Sequence, residues 1–203
     1  MNFKYYDIIS TLISGVVLLF VVSIVINWDI SKVNVVIVLS LAYVIGYILN
    51  AVSALLEPLY YCFMGGIPSD KLLRFPKPNC CGKVRKYTGF GRVRFYEYEK
   101  VVKLLREELG DADADEKKMF GKAMSYSNSN DKSRVPDFNA HYAFSRVMLT
   151  LVLISACLIM TKYYDVWWAW LITLLVILLV GRRCKERGYY YAREVLIEYL
   201  KNK

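Results

Sequence analysis

A basic and aromatic stretch spans residues 83–95 and carries the side chains best suited to binding chemistry. It contains no acidic residue, and its cations and aromatic rings are interleaved: Lys83, Arg85, Lys86, Tyr87, Phe90, Arg92, Arg94 and Phe95. Cationic groups bind phosphates while aromatic faces stack on bases, which is typical of nucleic-acid and nucleotide sites. The same cations could instead bind anionic lipid headgroups, at about 1 kcal/mol each. Both interpretations stay open, and Arg134 and Arg146 are further ligand-binding candidates.

A second set of residues forms a stripe of small and polar side chains in an otherwise apolar stretch. Its members are spaced by 4, 4, 3 and 4 residues: Ala42, Gly46, Asn50, Ser53 and Glu57. This spacing places them on one face of a helix. Polar groups at membrane depth are costly unless they face protein or water. The stripe therefore predicts either a tight helix contact within the subunit or a pore lined by Gly46, Asn50, Ser53 and Glu57.

Arg134 and His141 are separated by six residues. Their spacing resembles the Arg-x(4–6)-His motif of the HEPN ribonucleases, in which the two residues act on the RNA phosphodiester. That family carries the motif on a helix, whereas Pro136 lies between the two residues here and interrupts a helix. The sequence contains no G-x-S-x-G, P-loop or H-E-x-x-H motif. We therefore predict no catalytic residue and no enzyme, with a membrane-bound ribonuclease as the least favoured alternative.

The residues that could bind a metal are too few and too dispersed for a zinc site. They are Cys62, Cys80, Cys81, Cys157, Cys184 and the single His141. No two cysteines form a C-x-x-C pair, and a structural zinc needs four nitrogen or sulfur ligands. We predict no metal and no other cofactor.

Four long stretches of the sequence contain no charged residue, and the residues of the stripe lie within or beside one of these windows. The chain is 56% hydrophobic and 22% charged, yet the charges avoid residues 8–28, 33–56, 147–161 and 166–181. About 20 apolar residues are needed to cross a bilayer, and aromatic and basic residues flanking the two shorter windows can extend them. The sequence predicts an all-α integral membrane protein with four transmembrane helices in two hairpins, the first two at about 8–28 and 33–57. Pro58 predicts a bend after the second span.

The remaining segments are predicted to be cytoplasmic. Lys and Arg outnumber Asp and Glu by 17 to 11 in residues 65–146 and by seven to three in residues 182–203. Such an excess marks the cytoplasmic side. The domains are then a hairpin at 1–64, a basic helical insert at 65–145, a hairpin at 146–181 and an amphipathic C-terminal helix at 182–203. Within the insert, helical periodicity from 97 to 109 followed by Gly110 predicts a helix that ends there.

This layout, together with residues 138–147 (FNAHYAFSRV) at the entrance to the third span, resembles small membrane effectors of bacterial antiphage defence. The resemblance is to the channel subunit of the Hailong system, to four-span effectors of cyclic-oligonucleotide signalling, and to the membrane accessory proteins of type VI-B CRISPR loci. It implies a homo-oligomeric channel in the inner membrane, gated by an oligonucleotide or cyclic nucleotide on its cytoplasmic side. A defence-system enzyme would be its partner. The alternative is a membrane-anchored regulator that recruits a protein.

Overall fold

The computed structural model describes residues 5–74, 95–111, 113–128 and 133–203. Within these ranges the regular structure is entirely helical. A single 3-10 turn, Ile30–Lys32, lies between the first two helices. The α-helices are α1 (Tyr5–Ile26), α2 (Val35–Leu55), α3 (Glu57–Met64), α4 (Pro68–Leu73), α5 (Tyr98–Leu109), α6 (Glu116–Asn128), α7 (Val135–Lys162) and α8 (Trp167–Lys201).

Four of these helices are long and apolar enough to cross a bilayer. They are α1 from Ile8 to Ile26, α2, α7 and α8, and no more than 28% of the most apolar window of each is buried inside the chain. The large apolar side chains that they expose suit a lipid environment. The prediction of an all-helical protein with four apolar helices of spanning length is thus confirmed.

The described residues divide into two compact units. The described residues of the first lie within Met1–Tyr60 and Ala140–Cys184, and those of the second lie within Tyr61–Asn139 and Lys185–Lys203. Helices α7 and α8 each contribute residues to both units.

In the first unit, α1 and α2 cross in close contact. A Cβ atom added at Gly15 would overlap the carbonyl group of Ala42, and one added at Gly46 would overlap the carbonyl group of Thr11. Small residues allow helix backbones to approach in this way, and dispersion contacts between backbones then stabilise the pair in lipid.

Two serines of this unit, Ser14 and Ser53, bond their hydroxyl groups within their own helices. Ser14 donates to the Thr11 carbonyl at 2.9 Å, and Ser53 donates to the Asn50 carbonyl at 2.8 Å. Both serines are fully buried. Because each hydroxyl has a backbone acceptor, these serines can lie in an apolar environment at little cost.

The second unit has its own hydrophobic core. Helices α4, α5 and α6 meet the C-terminal part of α8, and Val101, Leu105, Val195, Leu196 and Tyr199 are each fully buried there. The C-terminal part of α8 therefore places apolar side chains in the core of this unit.

The ends of α5 and α6 follow from local chemistry. Gly110 adopts a left-handed conformation (φ 63°) directly after α5, which glycine tolerates best. The backbone N–H of Asp113 then donates to the Asp111 carboxylate at 3.0 Å, and α6 begins at Glu116. Arg74 forms an ion pair with Glu116 at 2.8 Å.

Candidate functional site

A break between α2 and α3 lies directly before Glu57. Helix α2 ends at Leu55, and α3 starts with Glu57 and Pro58. Proline suits the first turn of a helix because the N–H that it lacks has no partner there. The helix assignment is interrupted at Leu56, directly before Glu57 and Pro58, and the bend predicted at Pro58 stays a prediction.

Glu57 forms an ion pair with Arg146 of α7. One guanidinium nitrogen, Nη1, contacts the Oε2 atom of Glu57, while the Tyr142 hydroxyl donates to Oε1 at 3.0 Å. The Arg146 side chain is 14% exposed and that of Glu57 is 25% exposed. The guanidinium also lies 5.1 Å from the centre of the Tyr142 ring, a cation–π distance. Tyr142 and Arg146 reach the same carboxylate because residues four apart share a helix face.

The network continues one turn along α7. The Thr150 hydroxyl donates to the Arg146 carbonyl at 3.0 Å, and the Tyr60 hydroxyl lies 2.7 Å from the Thr150 hydroxyl oxygen. Since the Thr150 proton is engaged by that carbonyl, Tyr60 is the donor in this second contact. Thr150 is fully buried and Tyr60 is 4% exposed. These five residues (Glu57, Tyr60, Tyr142, Arg146 and Thr150) are called the ion-pair cluster below.

The ion-pair cluster joins α3 to α7 through charge. Its members include no nucleophile paired with a base, so the arrangement holds helices together rather than performing covalent chemistry. A largely buried ion pair is favourable only while both charges are present, because removing one leaves the other desolvated and uncompensated. The Nε atom of Arg146 is buried without a hydrogen-bond partner. An unsatisfied donor of this kind carries a desolvation cost in the paired state.

A small cavity lies between α1, α2 and α7 in the same unit. Its volume is about 90 Å³. Three polar residues contribute to its wall, namely Ser10, Thr11 and Asn50. The rest of the wall is small or apolar: Gly46, Ala140, Ala143, Phe144 and Val147.

The four residues predicted to line a pore have different surroundings in the structure. Gly46 and Ser53 are buried, and Gly46 lies against α1. Asn50 is exposed and lines the cavity, while Glu57 belongs to the ion-pair cluster. One of the two interpretations of the stripe, a tight helix contact within the subunit, therefore applies to Gly46. A pore lined by these residues stays a prediction.

The predicted ligand-binding residues Lys83, Arg85, Lys86, Tyr87, Phe90, Arg92 and Arg94 lie outside the described residues. Arg134 is exposed, and its guanidinium lies 5.6 Å from the centre of the Phe138 ring. Helix α7 begins at Val135, so Arg134 precedes the helix while His141 lies within it. Arg146 is held by Glu57, which gives it a structural partner that the sequence did not reveal.

The sequence predicted that Glu57 lines a pore and that Arg146 binds a ligand, and the ion pair between them was not predicted. The positions of the two charges could have indicated the pair. Glu57 follows one uncharged window and Arg146 precedes another, and both ends were predicted to lie at the same membrane face. Two opposite charges at equal depth in an apolar bundle stabilise each other most when they pair.

No family model, curated protein or solved structure matches this chain.

Proposed function

We propose that this protein is the subunit of a homo-oligomeric membrane channel, a pore-type effector of bacterial antiphage defence, whose closed state is stabilised by the ion-pair cluster. Both termini and the second unit would lie on the cytoplasmic side of the inner membrane, in keeping with the excess of Lys and Arg there. The insert and the amphipathic C-terminal helix would form the cytoplasmic part. A ring of subunits is needed because one bundle of four helices has little room for a pore.

The observation that carries the proposal is the ion pair between Glu57 and Arg146. Ionisable residues inside an apolar helical bundle are rare and usually serve function. Packing could have been achieved with apolar residues at lower desolvation cost. The pair stabilises the state in which Glu57 and Arg146 are in contact, and separating the two charges costs free energy. In a channel with a closed and an open state, that cost would contribute to the free-energy difference between the two states. Separation would also expose the Glu57 carboxylate to water, which would favour cations.

The signal would act through the second unit. A ligand changes a conformational equilibrium only by the difference between its affinities for the two states. A nucleic acid or nucleotide bound by the basic stretch at 83–95, with Arg134 as a further contact, would supply that difference. Helix α7 begins at Val135 in the second unit and continues without a break into the first unit. A change at the start of this helix would therefore reach Arg146 through continuous helical backbone.

Reconstituted protein tests the proposal through potassium efflux from liposomes without any added signal. Glu57→Gln and Arg146→Gln each remove one charge, so each should raise basal efflux. Breaking a buried pair costs about 3 kcal/mol, which would shift the closed-to-open ratio roughly 100-fold. The double variant Glu57→Arg with Arg146→Glu restores opposite charges and should recover a tight membrane. Glu99→Gln, at an exposed carboxylate on α5, is the matched control.

Efflux that equals the wild-type value in both single variants would contradict the proposed role of the pair. Efflux that stays high in the charge-swapped variant would do the same, because the two charges would then act separately.

A second candidate function, a membrane-anchored regulator, is favoured by one feature of the second unit. An open groove of about 990 Å³ has buried apolar residues in its wall, including Val102, Ala114 and Met119. Its remaining wall is rich in charged side chains, as at the polar rim that surrounds the apolar centre of a protein interface. Alanine at Asn50, which is exposed and takes no part in the ion-pair cluster, distinguishes the two functions. A tether should tolerate this change, whereas a channel should change in conductance or toxicity.

A further inference from the structure

We propose that the cavity between α1, α2 and α7 is a hydrated site, open to small water-soluble molecules, with Asn50 as its main polar wall. This inference rests on the proposed function. In a channel, a hydrated cavity would place part of the permeation path inside each subunit rather than only on the axis of the oligomer.

The chemistry of the wall favours water over an empty void. Apolar cavities stay dry, whereas a cavity with two to four polar partners and room for one water holds it. Ser10 and Thr11 each bring a hydroxyl group, and Asn50 brings an amide with two donors and two acceptor lone pairs. A volume of about 90 Å³ exceeds the space that a single water requires. Polar partners and space are thus both present.

The position of Asn50 within the span also favours a hydrated cavity. It lies five residues before the end of α2, which is about 8 Å of helix. An amide at this depth is costly in hydrocarbon unless protein or water solvates it. Its neighbour Ile48 is 53% exposed and apolar, as expected for a residue facing lipid. One side of α2 therefore suits lipid, and the side at Asn50 suits water.

Cysteine accessibility tests the inference on full-length protein in liposomes. The native cysteines are first replaced by serine or alanine, and then Asn50→Cys and, as the control on the same helix, Ile48→Cys are introduced separately. The probe is a charged, membrane-impermeant methanethiosulfonate. We expect Asn50→Cys to react at least tenfold faster than Ile48→Cys, because thiolate forms in water and not in hydrocarbon.

A second variant tests whether the cavity itself gives the access. Ala143 lines the cavity from α7, so Ala143→Leu should fill it and slow the labelling of Asn50→Cys severalfold. Equal labelling rates at positions 50 and 48 would overturn the inference. A rate at position 50 that Ala143→Leu leaves unchanged would also overturn it, since the reagent would then arrive by another route. Unchanged elution on size exclusion establishes that each variant is folded.

The outcomes separate this inference from the proposed function. Labelled Asn50→Cys with tight ion-pair variants would support a hydrated cavity and reject ion-pair gating. Unreactive Asn50→Cys with leaking ion-pair variants would reject the cavity and support the gating.

Discussion

Substituting Gly46 with alanine should force α1 and α2 apart. The added Cβ would overlap the backbone carbonyl of Thr11, and the side chain of Thr11 would lie only 3.1 Å away. A backbone carbonyl cannot rotate away as a side chain can. The two helices must therefore separate, and separation also weakens the contact between Gly15 and Ala42 one turn along.

The size of the effect follows from the kind of clash. Overpacking a well-packed core costs about 1–3 kcal/mol when side chains can adjust. A clash with backbone belongs at the upper end, so we expect a loss of about 3 kcal/mol. For a chain of 150–250 residues, 1 kcal/mol shifts the Tm by roughly 2–4 °C. Gly46→Ala should thus lower the Tm by roughly 6–12 °C.

The assay is the fraction of protein that remains monodisperse in detergent after heating. Gly181→Ala is the matched control, because its Cβ would lie 3.9 Å from the nearest side-chain atom, a methyl group of Leu149. Alanine is preferred to glycine in a helix by about 1 kcal/mol, so this control should be neutral or slightly stabilising. If Gly46→Ala melts within 2 °C or so of Gly181→Ala, the close crossing of α1 and α2 is wrong.

Three further changes test other contacts. Tyr60→Phe removes the hydroxyl that donates to Thr150 and should lower stability in the same heating assay by about 0.5–1.5 kcal/mol; no change would show that this bond contributes nothing. Leu105→Ala opens the core of the second unit at a fully buried position and should cost about 2–5 kcal/mol, read as faster proteolysis within that unit. The hydrogen bond from Arg74 lowers the pKa of Glu116 below its ordinary value of 4.5, so the ion pair stabilises the folded state above that pH. This contribution should be lost as the pH falls through the lowered pKa, so the difference in melting between wild type and Glu116→Gln should shrink on acidification; a difference that stays constant from neutral to acidic pH would contradict the assignment.

Local chemistry explains what the sequence could predict. The long uncharged windows leave few alternatives to spanning helices, because any other backbone arrangement would leave polar groups unsatisfied in lipid. The helix expected from 97 to 109 is found at Tyr98–Leu109 and stops at Gly110, since both its periodicity and its end are encoded within a few residues.

The candidate site was less accessible to such reasoning because it depends on contacts between distant residues. Glu57 and Arg146 are 89 positions apart, and each had a plausible local interpretation. Helical spacing identified the stripe containing Gly46 and Asn50, but periodicity indicates only that residues share a face. It does not indicate which neighbour that face meets. Only packing distinguishes Gly46, which lies against α1, from Asn50, which lines the cavity.

The position of Val195, Leu196 and Tyr199 in the core of the second unit has a consequence for biosynthesis. Ribosomes deliver these residues after all of α4, α5 and α6, so the earlier helices emerge without the surface that completes their core. Until α8 has been translated, Val101 and Leu105 remain partly uncovered, and a chaperone or the membrane surface would have to shield them. Completion of this unit is thereby delayed until the last apolar helix has been made.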